Sequence, residues 1–184
     1  FAWLFASALL DQLGPNPAEY LIRATGEWAL RFLCITLLIT PLRVTLKMPE
    51  WLLFRRSLGL LTFFYAILHA VCYSLFDMGL AWDDIGVDII KRPFIAVGFA
   101  AAVLLSLLAA TSSNRAIKKM GVARWRILHR CVYAIAALAM LHFFWMRSGK
   151  RNFDEVIVYG AILGALLGWR VWHALQTRRA KMKA

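Results

Sequence analysis

Apolar residues in this chain come in long unbroken blocks rather than at the spacing of a soluble amphipathic helix. Residues 58–76, LGLLTFFYAILHAVCYSLF, and 93–111, PFIAVGFAAAVLLSLLAAT, contain no Asp, Glu, Lys or Arg, and each is 19 residues long. A helix needs roughly 20 apolar residues to cross a bilayer core. Three further segments follow the same pattern with polar interruptions. The pattern predicts an all-α membrane protein forming a single transmembrane domain over 1–184, with spans at about 27–46, 56–76, 93–111, 126–146 and 155–176. The opening FAWLFASALL is apolar but too short to span, and reads as the end of a truncated first span over about 1–10. That reading makes the fold a bundle of six transmembrane helices. A signal peptide is the competing reading, but no basic n-region precedes the stretch.

Turn-forming clusters punctuate the blocks: LGPNP (13–17), TPLR (40–43), KMPE (47–50), KRP (91–93) and SGKRN (148–152). Pro41 and Pro93 are expected at span ends, where a missing N–H costs least. The short connections imply antiparallel neighbours in a compact bundle. Composition agrees: 61% of residues are hydrophobic and 17% charged, against about 45–50% apolar in an ordinary soluble domain.

The net charge of +12 is explained by topology and needs no nucleic-acid partner. Fifteen of the 22 Lys and Arg residues fall in the loops 43–56 and 112–130 and in the tail from Arg170; nine of the ten acids, all but Glu50, fall toward the other side. The positive-inside rule makes the first side cytoplasmic, with some attraction to anionic membrane lipid. Cys34, Cys72 and Cys131 lie in or beside apolar segments with no CxxC or CxxCH pattern, so they read as inert buried thiols. No nucleotide-binding loop and no zinc-type spacing occurs. The series Gly160, Gly164 and Gly168 reads as a surface for close helix approach.

Four histidines remain. An ionisable residue inside a span is a functional hypothesis by default, and a neutral imidazole hydrogen-bonded to a neighbouring helix is the plain alternative. His69 lies thirteen residues after Arg56 and His142 twelve after Arg130, which places them roughly 20 and 18 Å from the basic edge. Two imidazoles at one level on different outward-running helices are what a bis-histidine haem b requires. His129, in WRILHR, sits at the basic boundary thirteen residues before His142. On one ideal helix that spacing turns the two side chains about 140° apart. His173 reaches the same edge, either to complete an inner site with His129 or to snorkel to the headgroups.

The elements GEWALRFLCITLLITPLR (26–43), RRSLGLLTFFYAILHAVCY (55–73), KRPFIAVG (91–98), LAATSS (108–113) and WRILHRCVYAIAALAMLHFFW (125–145), in this order, resemble the MsrQ (YedZ) family of the ferric-reductase-like transmembrane superfamily. The resemblance covers nearly the whole chain from about residue 11. It implies a multi-pass protein of the bacterial inner membrane that carries haem b, one or two per chain, and is associated with FMN. It also implies electrons drawn from the quinone pool or a cytosolic flavin reductase. They pass to a periplasmic molybdopterin subunit, MsrP, which reduces methionine sulfoxide in oxidised envelope proteins. The family's haem-associated histidines fall at His69, His129 and His142. The superfamily uses two histidines on each of two helices; fourteen residues either side of His69 this chain has Arg55 and Asp83 instead.

The combined expectation is an electron conduit with no substrate-reducing site of its own. His69 and His142 are the axial ligands of an outer haem, and His129 serves an inner haem or organises electron uptake. Arg126 and Arg130 are placed to attract a flavin phosphate, their alternative role being topology. The acidic stretch DMGLAWDDIGVD (77–88) reads as a solvated outer loop, with Asp83 and Asp84 as candidates for docking a partner. A ferric or quinol oxidoreductase of the same superfamily, a histidine-relay proton transporter and a structural assembly subunit stand as alternatives.

Overall fold

The chain is helical throughout its described part: α1 (Pro17–Leu46), α2 (Leu52–Cys72), α3 (Trp82–Lys91), α4 (Pro93–Ala110), α5 (Asn114–Met120), α6 (Val122–His129), α7 (Val132–Ser148) and α8 (Asp154–Lys183). A 3-10 turn, Pro49–Trp51, leads into α2, and a π-helical turn, Tyr73–Asp77, ends it. The computed structural model describes residues 6, 7, 10, 13–149 and 151–183. Most of the expected first span, over about 1–10, lies outside those residues. Five helical stretches, 17–46, 49–77, 93–110, 122–148 and 154–180, are long and apolar enough to cross a membrane. Large apolar side chains such as Phe64, Phe99 and Val158 stand on their outer surfaces, as a lipid solvent allows. The shared core lies where α1, α4, α7 and α8 meet, around Leu33, Leu37, Leu105, Ile135 and Leu163.

Local chemistry sets the element ends. Asn16 caps α1: its side-chain oxygen accepts the N–H of Glu19 at 3.1 Å, with Pro17 in the first turn. Helix α1 therefore runs ten residues beyond the apolar segment that begins at 27. Arg92 is held extended (φ −109°, ψ 102°) before Pro93, which separates α3 from α4. Ser113 caps α5 by accepting Ala116 N–H at 3.1 Å. Gly121, at φ 81°, makes the bend into α6.

Four expectations are corrected. The acidic stretch 77–88 is not a loop: from Trp82 it forms α3, with Asp83 and Asp84 exposed in its first turn, where carboxylates favour the helix dipole. Asp88 is buried beneath α3; it accepts from the Tyr73 hydroxyl at 2.5 Å and pairs with Arg92 at 2.7 Å. Helices α6 and α7 are not one regular α-helix: a tightened turn at Arg130 and Cys131, with bonds to Ile127 O and Leu128 O, separates them within the 122–148 stretch. The glycine series of α8 mediates no close approach among the described residues: a Cβ at Gly164 or Gly168 meets none of them within 4 Å, and one at Gly160 meets only the Met140 methyl at 3.9 Å. The three cysteines are free thiols, as expected.

The fourth correction is Pro41, which lies inside α1 rather than at its end. A proline deprives the carbonyl four residues earlier of its helical donor, and here that carbonyl belongs to buried Leu37. Inside a bilayer an orphaned carbonyl has no water to turn to. Arg170 of α8 supplies the missing donor: its guanidinium bonds Leu37 O and also its own Leu166 O at 2.9 Å. This clasp joins α1 to α8 near the basic end. Ion pairs join helices at the other end: Arg147 of α7 binds Glu27 of α1 at 3.0 Å and Glu155 of α8. Arg31 there donates to the Tyr159 hydroxyl at 2.9 Å.

Arg170→Met is expected to lower stability in detergent by about 2 kcal/mol, the cost of leaving one buried acceptor unpaired. The loss shrinks in a Pro41→Ala background, where residue 41 again offers Leu37 its N–H. Equal losses in both backgrounds, measured by thermal unfolding, would refute the clasp.

Candidate functional site

His69 of α2 and His142 of α7 meet inside the bundle with ring centroids 6.1 Å apart and planes inclined at 78°. Each ring is fixed by the helix behind it. His69 Nδ1 lies 2.8 Å from Ile22 O of α1, and His142 Nδ1 lies 2.7 Å from Phe94 O of α4. A carbonyl only accepts, so in each ring Nδ1 carries the proton and donates. That choice of tautomer leaves Nε2 with its lone pair, the form in which imidazole binds a metal. Neither Nε2 has a hydrogen-bond partner among the described residues.

Glycine makes both bonds possible. Gly26 and Gly98 sit four residues after Ile22 and Phe94, on the side of the helix where a side chain would cover the carbonyl. A Cβ built at Gly26 falls 3.0 Å from His69 Nδ1; one at Gly98 falls 2.7 Å from His142 Nδ1 and 2.9 Å from Cε1. The same device therefore appears twice: a helix running from the acidic end presents a glycine-bared carbonyl, and an antiparallel helix brings a histidine to it. Neither glycine was assigned a role from sequence. The available signal was an isolated glycine inside each helical segment, with a histidine 43 or 44 residues downstream.

The other candidates lie toward the basic end. A cavity of about 310 Å³ sits between the same four helices, its wall including Leu33 of α1, Thr62 of α2, Leu105 of α4 and Val132 of α7. Thr62 lies seven residues before His69, so this space is about 10 Å nearer the basic end. His129 lines it. The Thr111 hydroxyl donates to Leu107 O at 2.7 Å, so its oxygen accepts from His129 Nε2 at 3.2 Å. The His129 ring also stacks on Trp125 at 4.2 Å, whose indole N–H donates to Thr111 O at 3.0 Å. His129 is thus held in the opposite sense to the deeper pair, with Nε2 engaged. A tightened turn after it, with Arg130 N–H bonded to Ile127 O and Cys131 N–H to Leu128 O, alters the 140° offset expected for one ideal helix.

Arg126 and Arg130 come together with Arg55 around an adjoining cavity of about 180 Å³. The structure does not bring His173 to this region: it stacks on Trp169 at 5.0 Å and lines neither cavity. Among the described residues no group of three His, Cys, Asp or Glu is placed to hold a metal ion.

The family described as "Ferric reductase like transmembrane component" matches residues 25–140, which include Gly26, His69, Gly98 and His129 and stop two short of His142. The chain is thus a ferric-reductase-like transmembrane protein. Curated relatives carry the name protein-methionine-sulfoxide reductase heme-binding subunit MsrQ. The one from Polaromonas naphthalenivorans (strain CJ2) is 62% identical over 97% of this chain and 82% of its own length. The Herminiimonas arsenicoxydans protein is 50% identical over 97% and 82%, and that of Caulobacter vibrioides (strain ATCC 19089 / CIP 103742 / CB 15) 43% over 96% and 83%. The chain belongs to the MsrQ family. No solved structure matches it.

Gly98→Ala is expected to destabilise the protein by about 2 kcal/mol, as overpacking against His142 does, and Gly26→Ala by less, since its neighbour lies farther away. Thermal unfolding of both variants checks the order. A Gly98→Ala variant as stable as the parent would show that the close approach is not real.

Proposed function

We propose that this chain is the haem b electron-transfer subunit of a methionine sulfoxide reductase system. In this reading it passes electrons from the quinone pool or a cytosolic flavin reductase to a periplasmic molybdopterin partner, MsrP, for repair of oxidised envelope proteins. One observation carries the reading: two imidazoles from different helices, each anchored through Nδ1 to a backbone carbonyl and each presenting an unpartnered Nε2 within one apolar bundle. The relatives' shared name, heme-binding subunit, supports it.

The residues present fit the group. His69 and His142 would be the axial ligands, their Nδ1 bonds fixing ring orientation and raising the donor strength of Nε2. Gly26 and Gly98 keep those bonds short. Surrounding apolar side chains keep water away. Bound there, haem b supplies a one-electron carrier whose potential depends on axial ligands and burial. His129 would hold an inner haem through Nε2, the nitrogen that here bonds the Thr111 hydroxyl, or organise electron uptake. Arg126 and Arg130 are placed for the phosphate of FMN. The basic end faces the cytoplasm of a bacterial inner membrane, so α3, with exposed Asp83 and Asp84, faces the partner. His173 has no assigned part and rests against Trp169.

A ferric or quinol oxidoreductase would share this core and differ in what docks on the loops. A histidine relay for protons is less well supported, because both Nδ1 protons are committed to helix carbonyls rather than to a chain of titratable groups.

The test is reconstitution. The purified protein should show a b-type pyridine haemochrome, lost on His142→Ala. After reduction it should be reoxidised by methionine sulfoxide only when MsrP is present. Folded protein that takes up no haem would refute the reading. Haem-loaded protein that reduces ferric iron directly, with no response to MsrP, would favour the oxidoreductase alternative.

A further inference from the structure

The bundle is built from two closely packed helix pairs, α1 with α2 and α4 with α7. Each pair carries its own bared carbonyl and histidine: Ile22 O with His69 in the first, Phe94 O with His142 in the second. Each imidazole is therefore fixed to its own pair, and the 6.1 Å between ring centres is a distance across the seam between pairs. Packing across that seam is lighter: α2 touches α4, and α8 leans on both α1 and α7. Apolar contact is non-directional, so it limits the spacing without fixing it. A metal–imidazole bond is roughly 2 Å long, so a shared ion tolerates little change in that spacing.

A polar link crosses the seam beside the histidines. Glu27 of α1 directly follows Gly26, where a Cβ would fall 3.0 Å from His69 Nδ1. Arg147 of α7 lies five residues beyond His142, roughly 7.5 Å along the helix, and donates to Glu27 at 3.0 Å. Its side chain is 9% exposed and its guanidinium lies 5.3 Å from the ring centre of buried Phe143, the neighbour of His142. Arg147 also donates to Glu155 of α8, and Arg31 donates to Glu27 at 3.1 Å. Stability alone does not call for this pair: replacing a buried ion pair by apolar groups of similar volume is often neutral or stabilising. The buried Nε of Arg147 even lacks a partner among the described residues, which costs stability. What an ion pair adds to apolar contact is a fixed partner and a fixed register. We propose that Arg147, through Glu27, is a positioning residue that holds the two helix pairs at the spacing at which His69 and His142 can bind one iron. Glu155 has a different part, because its bond joins α7 to α8 and does not cross the seam. The inference rests on the reading of His69 and His142 as ligands to one haem.

Carbon monoxide tests it, since an iron with an imidazole on both axial positions has no place for the gas and loss of either ligand opens one. The full chain is loaded with haem in phosphatidylcholine nanodiscs, reduced with dithionite and exposed to carbon monoxide, and thermal unfolding is measured on the same preparations. In Arg147→Met, Glu27 keeps Arg31 as a partner and half-exposed Glu155 reaches solvent, so the variant should fold and bind haem. Its carbon monoxide-reactive fraction should rise about tenfold or more over the wild type. The double variant Glu27→Leu with Arg147→Met should unfold no earlier than the wild type and show the same rise, which separates position from stability. Arg147→Lys keeps the charge and should give a smaller rise, and Glu155→Gln should behave as the wild type. Glu27→Gln repeats the test from α1 should Arg147→Met not fold. Arg147→Met that excludes carbon monoxide as the wild type does, or Glu155→Gln that admits as much as Arg147→Met, overturns the inference and leaves the haem reading standing. Wild-type protein that takes up no haem overturns that reading and this inference with it.

Discussion

Inside a bilayer the helix carbonyl is the one acceptor present at every level, and it is normally hidden by its own helix. The site depends on baring two of them. At Ile22 and Phe94 the glycine four residues on removes the side chain that would cover the oxygen, and a histidine from the neighbouring helix donates to it at 2.8 and 2.7 Å. One hydrogen bond thereby settles the tautomer, the direction of Nε2 and the register of α1 on α2 and of α4 on α7. The bond also accounts for tolerating an imidazole where nothing else polar is allowed, because its single proton is satisfied without water.

The same need to satisfy backbone groups explains the basic end. Pro41 strips Leu37 O of its donor, and Arg170 restores one from across the bundle. Arg170 is therefore more than a topological charge. The two ends are electrostatically unlike: acids and arginines neutralise one another around Glu27, Arg147 and Glu155, while the lining of the cavity at Arg55, Arg126 and Arg130 includes no carboxylate.

Much of this was legible in the sequence because the membrane imposes it. Apolar blocks of helix-spanning length could only be helices, and counting residues from Arg56 and Arg130 put His69 and His142 at one depth, where their rings do meet. What the pattern hid depends on contacts between helices. Gly26 and Gly98 look like ordinary packing glycines until a partner helix is in register, whereas Gly160, Gly164 and Gly168 look like a packing motif and meet no close neighbour among the described residues. Treating 126–146 as one ideal helix missed the tightened turn at Arg130–Cys131, which alters the angle between His129 and His142. The stretch 77–88 read as loop because four acids and two glycines interrupt its six apolar residues. Burial of Asp88 against Tyr73 and Arg92 is a tertiary fact, and it holds the segment as a helix.

The central claim is that His69 and His142 are ligands to the same iron. Electron paramagnetic resonance of the ferric protein tests it most directly. A shared iron gives a low-spin bis-imidazole signal that disappears in His69→Ala and equally in His142→Ala. A low-spin signal that survives either substitution would contradict it.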